Sequence, residues 1–166
     1  MKEVTASAPG KVTLFGEHAV VYGYPAIVTS IGKRVYVTAK VREDSAVRIV
    51  AKDLRTPGLI VTYREGSVEV STDHGRSLLA VAYLNKAIEL TSRKIGKFRG
   101  VDLIVESEMP VGAGLGTSAA VSVATVAAYS KLLGTELSRD EIADLAWSVE
   151  REVQGLASPM DTSIST

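Results

Sequence analysis

The chain has 166 residues, 46% of them hydrophobic and 23% charged, enough for one domain with a sizeable buried core. Nineteen basic and nineteen acidic residues cancel, so no global field recruits nucleic acid or an anionic membrane, and any anion site has to be built locally. The absence of cysteine excludes a disulfide framework, a thiolate zinc site and a cysteine nucleophile, and it fits a reducing compartment.

In chain order, the opening stretch "MKEVTASAPGK" has no apolar run of signal-peptide length. Short segments rich in β-branched residues follow: 12–16, 26–31, 34–41 and 46–51. The clearest half-buried strand is 34–41, where Val35, Val37, Ala39 and Val41 alternate with polar residues. "GLIVTY" (58–63) and "SVEV" (67–70) are two weaker strands. At 77–93 the period changes, and Leu78, Leu79, Ala82, Tyr83, Ile88 and Leu90 recur at helical spacing. "VDLIVESE" (101–108) returns to strand, and a glycine-rich segment follows it directly.

The next segment, 118–133, is alanine-rich and helical in length, with Gly134 as its stop. Its apolar run from Ala119 to Ala128 is too short to span a bilayer, so a cytoplasmic protein without a membrane partner is expected. Ser138 and Glu141 stand at capping-box spacing before Ile142, Leu145, Ala146, Val149 and Val153, which predicts a helix from Arg139 to Gln154. The final "GLASPMDTSIST" reads as a loop leading to a new strand, as though the chain were cut inside a larger fold. Nothing argues for a second domain within residues 1–166.

The order strand, glycine turn, helix raises the central question. Gly112, Gly114 and Gly116 alternate where side chains would otherwise stabilise the fold. A tight connecting turn explains them, and so does a loop whose bare amides and helix start hold a phosphate. A Walker A loop requires Gly-Lys-Ser/Thr, but Gly116 is followed by Thr117 and Ser118. The spacing is not G-x-G-x-x-G either.

The stretch "PVGAGLGTSAA" resembles the second motif of the GHMP kinase superfamily, which contains galactokinase, homoserine kinase, mevalonate kinase and phosphomevalonate kinase. "APGKVTLFGEHAVVYG" (8–23) is similar to the first motif in its mevalonate kinase form. Galactokinases usually carry arginine in place of Lys11, and phosphomevalonate kinases tend to have Glu-Tyr at Glu17-His18. In "EREVQGLASPMDTSIST", Glu150 precedes Asp161 by eleven positions, the separation of the superfamily's metal-binding glutamate and catalytic aspartate. The surrounding His-Gly-Asn-Pro-Ser-Gly context is replaced by Gln154, Gly155, Leu156, Ala157, Ser158 and Pro159.

The resemblance implies an α+β fold: an N-terminal domain over 1–166 with a ribosomal-protein-like βαβ two-layer core and a mixed sheet covered by helices. The ferredoxin-like C-terminal domain, with its second glycine loop, has no counterpart in this sequence. The implied function is ATP-dependent phosphorylation of the primary hydroxyl of mevalonate. Pro110, Gly112, Ala113, Gly114, Leu115, Gly116, Thr117, Ser118 and Ala119 hold the nucleotide, and Ser118 with Glu150 binds Mg²⁺. Asp161 accepts or orients the hydroxyl proton, Lys11 pairs with Asp161 and the transferring phosphoryl group, and Glu17 and His18 lie on the substrate side. Activity is expected to require the C-terminal domain, and a homodimer is compatible with this reading. Other substrates of the superfamily, phosphomevalonate included, stay open, as does a ligand-binding module without turnover. Trp147 is expected in the core and His74 in a loop.

Overall fold

The computed structural model describes residues 2–51, 59–64, 67–71, 77–110 and 113–166. Six strands form one mixed sheet: β1 (Glu3–Phe15), β2 (Ile27–Val41), β3 (Val47–Ala51), β4 (Leu59–Arg64), β5 (Ser67–Ser71) and β6 (Val101–Ser107). Their order across the sheet is β1-β2-β6-β3-β4-β5. All neighbours are antiparallel except β3 and β6, which run parallel. A parallel pair needs a long crossover, and here β4, β5 and α1 (Ser77–Ile95) supply it. The remaining helices are α2 (Thr117–Leu132), α3 (Arg139–Gln154) and α4 (Met160–Ser165).

Alternation decides which face of the sheet is buried. Val35, Val37 and Ala39 of β2 are fully buried, while the residues between them face the other side. Register carries the band across the sheet: Val37 sits opposite Ala6 and Val105, Ala39 opposite Val4 and Leu103, and Leu103 beside Ile49. On the opposite face, polar cross-strand pairs such as Thr5 and Thr38, whose hydroxyls lie 2.9 Å apart, meet solvent. The helices cover the apolar band. α2 packs on β1 and β2, and α1, α3 and α4 pack around α2. This enclosure explains the small, apolar character of α2, in which Ala119, Ala120, Ala124, Val126, Ala128 and Tyr129 have no exposed surface. The buried Tyr129 hydroxyl donates to the Arg99 carbonyl (2.8 Å) and accepts from the Arg99 amide (3.1 Å), pinning the α1–β6 connection.

The expected mixed sheet with helices is what forms, and three elements differ from the sequence reading. Residues 26–31 and 34–41 are one continuous strand, and β1 begins at Glu3 rather than at 12. Pro9 and Gly10 resemble breakers, yet β1 lies at the sheet edge, where a proline is tolerated, and the register shifts between Pro9 and Lys11. The C-terminal segment is the short helix α4, not a strand. Pro159 has the φ of −72° that its ring favours and its carbonyl accepts from the Ser163 amide, while Thr162 and Ser165 are buried where α4 packs against α2. Tertiary packing overrides the β-branched character of that stretch. His74 lies outside the described residues.

Beyond Arg34 the β1–β2 ribbon leaves the β6 pairing and continues on its own. Val12 and Leu14 project from one face, and the bulge between Thr13 and Phe15 brings Phe15 opposite Ile27 on that same face. All four are exposed, Phe15 at 71% and Ile27 at 57%. Lys11 and Thr13 point to the other face.

Candidate active site

Two side-chain pairs meet where the glycine loop enters α2. The first is built on β1. Lys11 is only 4% exposed, and its Nζ lies 3.2 Å from Asp161 Oδ1, 3.1 Å from Thr13 Oγ1 and 3.9 Å from Glu17 Oε1. Thr13 shares Lys11's strand face, so its hydroxyl fixes the ammonium from below. Asp161 sits in the first turn of α4, and its buried Oδ1 has the lysine charge beside it without an aligned hydrogen bond.

The loop is fastened to this lysine. Leu115 O accepts from the Lys11 amide at 2.9 Å, and Gly116 adopts φ +68°, where a Cβ would stand 2.7 Å from Lys11 Cγ. Gly116 therefore meets two demands that only glycine satisfies, a left-handed backbone and contact with the lysine stem. It is also the N-cap of α2 and provides no capping side chain. The first intrahelical bond of α2 comes from the Ala120 amide to Gly116 O, so the amides of Thr117, Ser118 and Ala119 have no acceptor within the helix. They stand at the positive end of the helix dipole, an arrangement suited to an anion.

The second pair is Ser118 and Glu150. Ser118 Oγ donates to Glu150 Oε1 at 3.1 Å, bridging the start of α2 to α3. α3 is set by the predicted capping box, in which Ser138 Oγ accepts from the Glu141 amide and Glu141 Oε2 accepts from the Ser138 amide. Glu150 is 4% exposed. Burial pushes its carboxyl up to about 7; the Asp161 charge adds to this, and the Ser118 hydrogen bond and Lys11 oppose it. A buried carboxylate that feels the charge of a second one and has a hydroxyl 3.1 Å away suits a cation. The donors are hard oxygens, as Mg²⁺ prefers. Among the described residues no three His, Asp or Glu side chains cluster to hold a metal by themselves, so an ion here would draw further ligands from water and phosphate oxygens.

Of the residues expected from sequence, Lys11, Ser118, Glu150 and Asp161 come together, with Gly114, Leu115, Gly116, Thr117 and Ala119 around them. Pro110 and Ala113 are exposed on the loop, and Gly112 lies outside the described residues. Glu17 approaches Lys11, whereas His18 is exposed at the start of the 3₁₀ turn Ala19–Tyr22 and makes no capping hydrogen bond. Trp147 is half-buried rather than in the core. Its Nε1 donates to Ala157 O at 2.8 Å and Arg151 lies 5.0 Å from its ring centre, which anchors the loop leading to Asp161.

Sequence reasoning missed Thr13, although its place two residues after Lys11 on a strand signals a shared face. It also missed Tyr83 and Gln154. Tyr83, on α1, is 4% exposed, and its hydroxyl accepts from Gln154 Nε2. Burial raises the Tyr83 hydroxyl above the ordinary tyrosine value; Gln154 and Ser118 hydrogen bonds oppose this, and the charge of Glu150 adds to it.

Comparison with known proteins gives the family. Residues 82–166 match the GHMP kinases N terminal domain, and residues 1–41 match the galactokinase galactose-binding signature. A mevalonate kinase of Pyrococcus horikoshii is 49% identical over 165 residues, covering 99% of this chain and 49% of that protein. One from Saccharolobus solfataricus is 42% identical over 163 residues, covering 98% and 49%. Among solved structures, the Methanococcus jannaschii mevalonate kinase superposes with a TM-score of 0.79 at 30% identity, covering 98% of this chain and 50% of that one. The chain spans about half the length of the curated relatives it matches. With the family domain matched over half of its residues and the glycine loop, lysine and carboxylates assembled at one point, the chain belongs to the GHMP kinases.

Proposed function

We propose that this chain is the nucleotide- and metal-binding N-terminal domain, residues 1–166, of a cytoplasmic enzyme that phosphorylates the primary hydroxyl of mevalonate with ATP. The product is 5-phosphomevalonate, an intermediate of isoprenoid biosynthesis. The observation that carries the reading is the convergence of Lys11–Asp161 and Ser118–Glu150 on either side of the free amides of α2.

Phosphoryl transfer asks mostly for positioning and neutralisation of charge. The amides of 117–119 bind phosphate oxygens of the nucleotide. Ser118 and Glu150 hold Mg²⁺, which when bound neutralises phosphate charge and orients the phosphates. Asp161 Oδ1 accepts or orients the proton of the attacking hydroxyl, and Lys11, 3.2 Å from that oxygen, holds the carboxylate in place while contacting the moving phosphoryl group. Glu17 and His18 project from the same end of β1, on the substrate side. The relatives' remaining half completes the cleft, and the exposed Val12, Leu14, Phe15 and Ile27 support a packing surface near the site. No helix among the described residues is long and apolar enough to cross a membrane.

The match of residues 1–41 to a galactose-binding signature favours a sugar as the second reading. Lys11, where galactokinases usually carry arginine, and the mevalonate kinase relatives favour mevalonate. Assay of the full-length protein with mevalonate, phosphomevalonate, galactose and homoserine is expected to give the highest kcat/KM for mevalonate. A preference for galactose or phosphomevalonate would overturn the substrate and leave the family intact.

A further inference from the structure

We infer that Gly10 is a positioning residue for the phosphate-binding loop: its bare backbone is the seat on which both ends of the loop rest against β1. The inference rests on the reading of the amides of 117–119 as the nucleotide-phosphate site, and it gives Gly10 a role which that reading does not contain. Gly10 is buried and falls where the ribbon changes register: Pro9 pairs with Arg34 and Lys11 with Ser30, so Gly10 alone faces residues 31–33 of β2. Its backbone is not left-handed, so conformation does not explain the glycine. Space does. A Cβ here would overlap the Met109 sulfur and stand 3.1 Å from Met109 Cε and 2.9 Å from Leu115 O.

Met109 and Leu115 are the two ends of the loop that crosses from β6 to α2. The entry is fixed by Ser107, whose hydroxyl donates to the Met109 carbonyl (2.9 Å) and accepts from the Met109 amide (3.1 Å), and Met109 is buried. At the exit, β1 has a strand on one side only, and the Lys11 amide donates to Leu115 O at 2.9 Å. That carbonyl belongs to the peptide leading into Gly116, whose own bare Cα lies against the Lys11 stem. Two consecutive residues of β1 thus carry the loop, Gly10 under its backbone and Lys11 beside it. The amides of 117–119 follow directly, so the seat sets how far bound phosphates stand from Lys11 Nζ and Asp161 Oδ1, themselves 3.2 Å apart. Phosphoryl transfer tolerates little error in that separation. An alanine at Gly10 pushes Leu115 O outward, stretches its bond to the Lys11 amide, and carries the anion site away from the lysine.

The test is nucleotide binding by the full-length protein carrying Gly10→Ala, read by calorimetric titration with MgADP well below the melting temperature, with thermal melts and steady-state kinetics alongside. Affinity for MgADP is expected to fall about five-fold, as loss of one hydrogen bond predicts. KM for ATP should rise with it while KM for mevalonate stays near wild type, because Glu17 and His18 are carried by the chain after β1; an equal rise in both overturns the inference. Gly32→Ala, in the same ribbon but where a Cβ meets nothing within 4 Å, is expected to bind MgADP like wild type. A matching loss there overturns the inference. So does a lowered melting temperature with unchanged affinity in Gly10→Ala, the result of a glycine that serves packing alone. Should Gly10→Ala not fold, the double variant Gly10→Ala/Met109→Ala removes the side-chain overlap and keeps only the conflict with Leu115 O. Weaker MgADP binding than in Met109→Ala is expected there, and an equal value overturns the inference. If the wild-type protein binds no MgADP, the phosphate reading itself falls and the seat with it.

Discussion

Removing the charge of Glu150 should stabilise the metal-free protein, and by an amount that depends on pH. In the fold its carboxyl titrates at about 7 against an ordinary 4.5, because burial disfavours the anion. The folded state therefore holds its proton more tightly than the unfolded chain. The contribution of Glu150 to stability is complete below the unfolded value of 4.5 and is lost as pH rises to and through about 7. At about 1.4 kcal/mol per pH unit the interval corresponds to roughly 3 kcal/mol, most of it falling between pH 5 and pH 8. Glu150→Gln keeps an oxygen to accept from Ser118 Oγ and cannot ionise. The stability difference, variant minus wild type, should thus grow by about 2 to 3 kcal/mol from pH 5 to pH 8, or about 5 to 10 °C in melting temperature for a chain of this size. Urea denaturation in EDTA at the two pH values measures it. Mg²⁺ with nucleotide should restore the wild type at pH 8 and help the variant less. A difference that stays flat with pH would refute the argument, since it would mean that the folded carboxyl is as well solvated as the unfolded one.

Asp161→Asn preserves shape and removes the proton acceptor, so kcat in the full-length enzyme should fall by roughly 10²-fold while nucleotide binding, read by titration calorimetry, persists. Lys11→Met should also lower kcat, and the double variant should lose less than the product of the two, because both act at one 3.2 Å ion pair. Gly116→Ala forces a Cβ onto Lys11 Cγ at φ +68° and should cost about 1–3 kcal/mol by denaturation while weakening ATP binding. Ser138→Ala removes one side of the capping box; about 1 kcal/mol of stability should go, with kcat unchanged.

The legible parts of the sequence were those governed by local chemistry. The capping box at Ser138 and Glu141, the glycine segment ahead of α2 and the alternation of Val35, Val37 and Ala39 each depend on neighbours a few residues away. Lys11, Ser118, Glu150 and Asp161 could be named only through motif resemblance, since no spacing rule places four elements at one point. What was misread depended on position in the fold. The first half of β1 hides behind small residues and Pro9, which only an edge strand accepts. α4 is helical because Thr162 and Ser165 meet other helices, a fact absent from "MDTSIS" itself. Tyr83 carries no sequence mark beyond being a tyrosine on an apolar helix face; its hydrogen bond comes from Gln154, 71 positions away.

The placement of β6 has a consequence for how the sheet is assembled in time. β2 and β3 are joined by only the five residues 42–46, a length that favours pairing them directly, yet in the finished sheet β6 lies between them. The link holds the latecomer on both sides: the Arg42 amide donates to Gly100 O, the Val101 amide to Ala46 O, and Arg42 NH1 to Asp102 Oδ1 at 2.7 Å. The strand that completes the sheet must therefore return across a long crossover and enter a gap that local pairing tends to close, a non-local step with a large loop-closure cost. Refolding should be limited by that insertion. Asp102→Asn, which weakens the clasp on the incoming strand, should then slow refolding more than it speeds unfolding, whereas an effect on unfolding alone would place the insertion after the rate-limiting step.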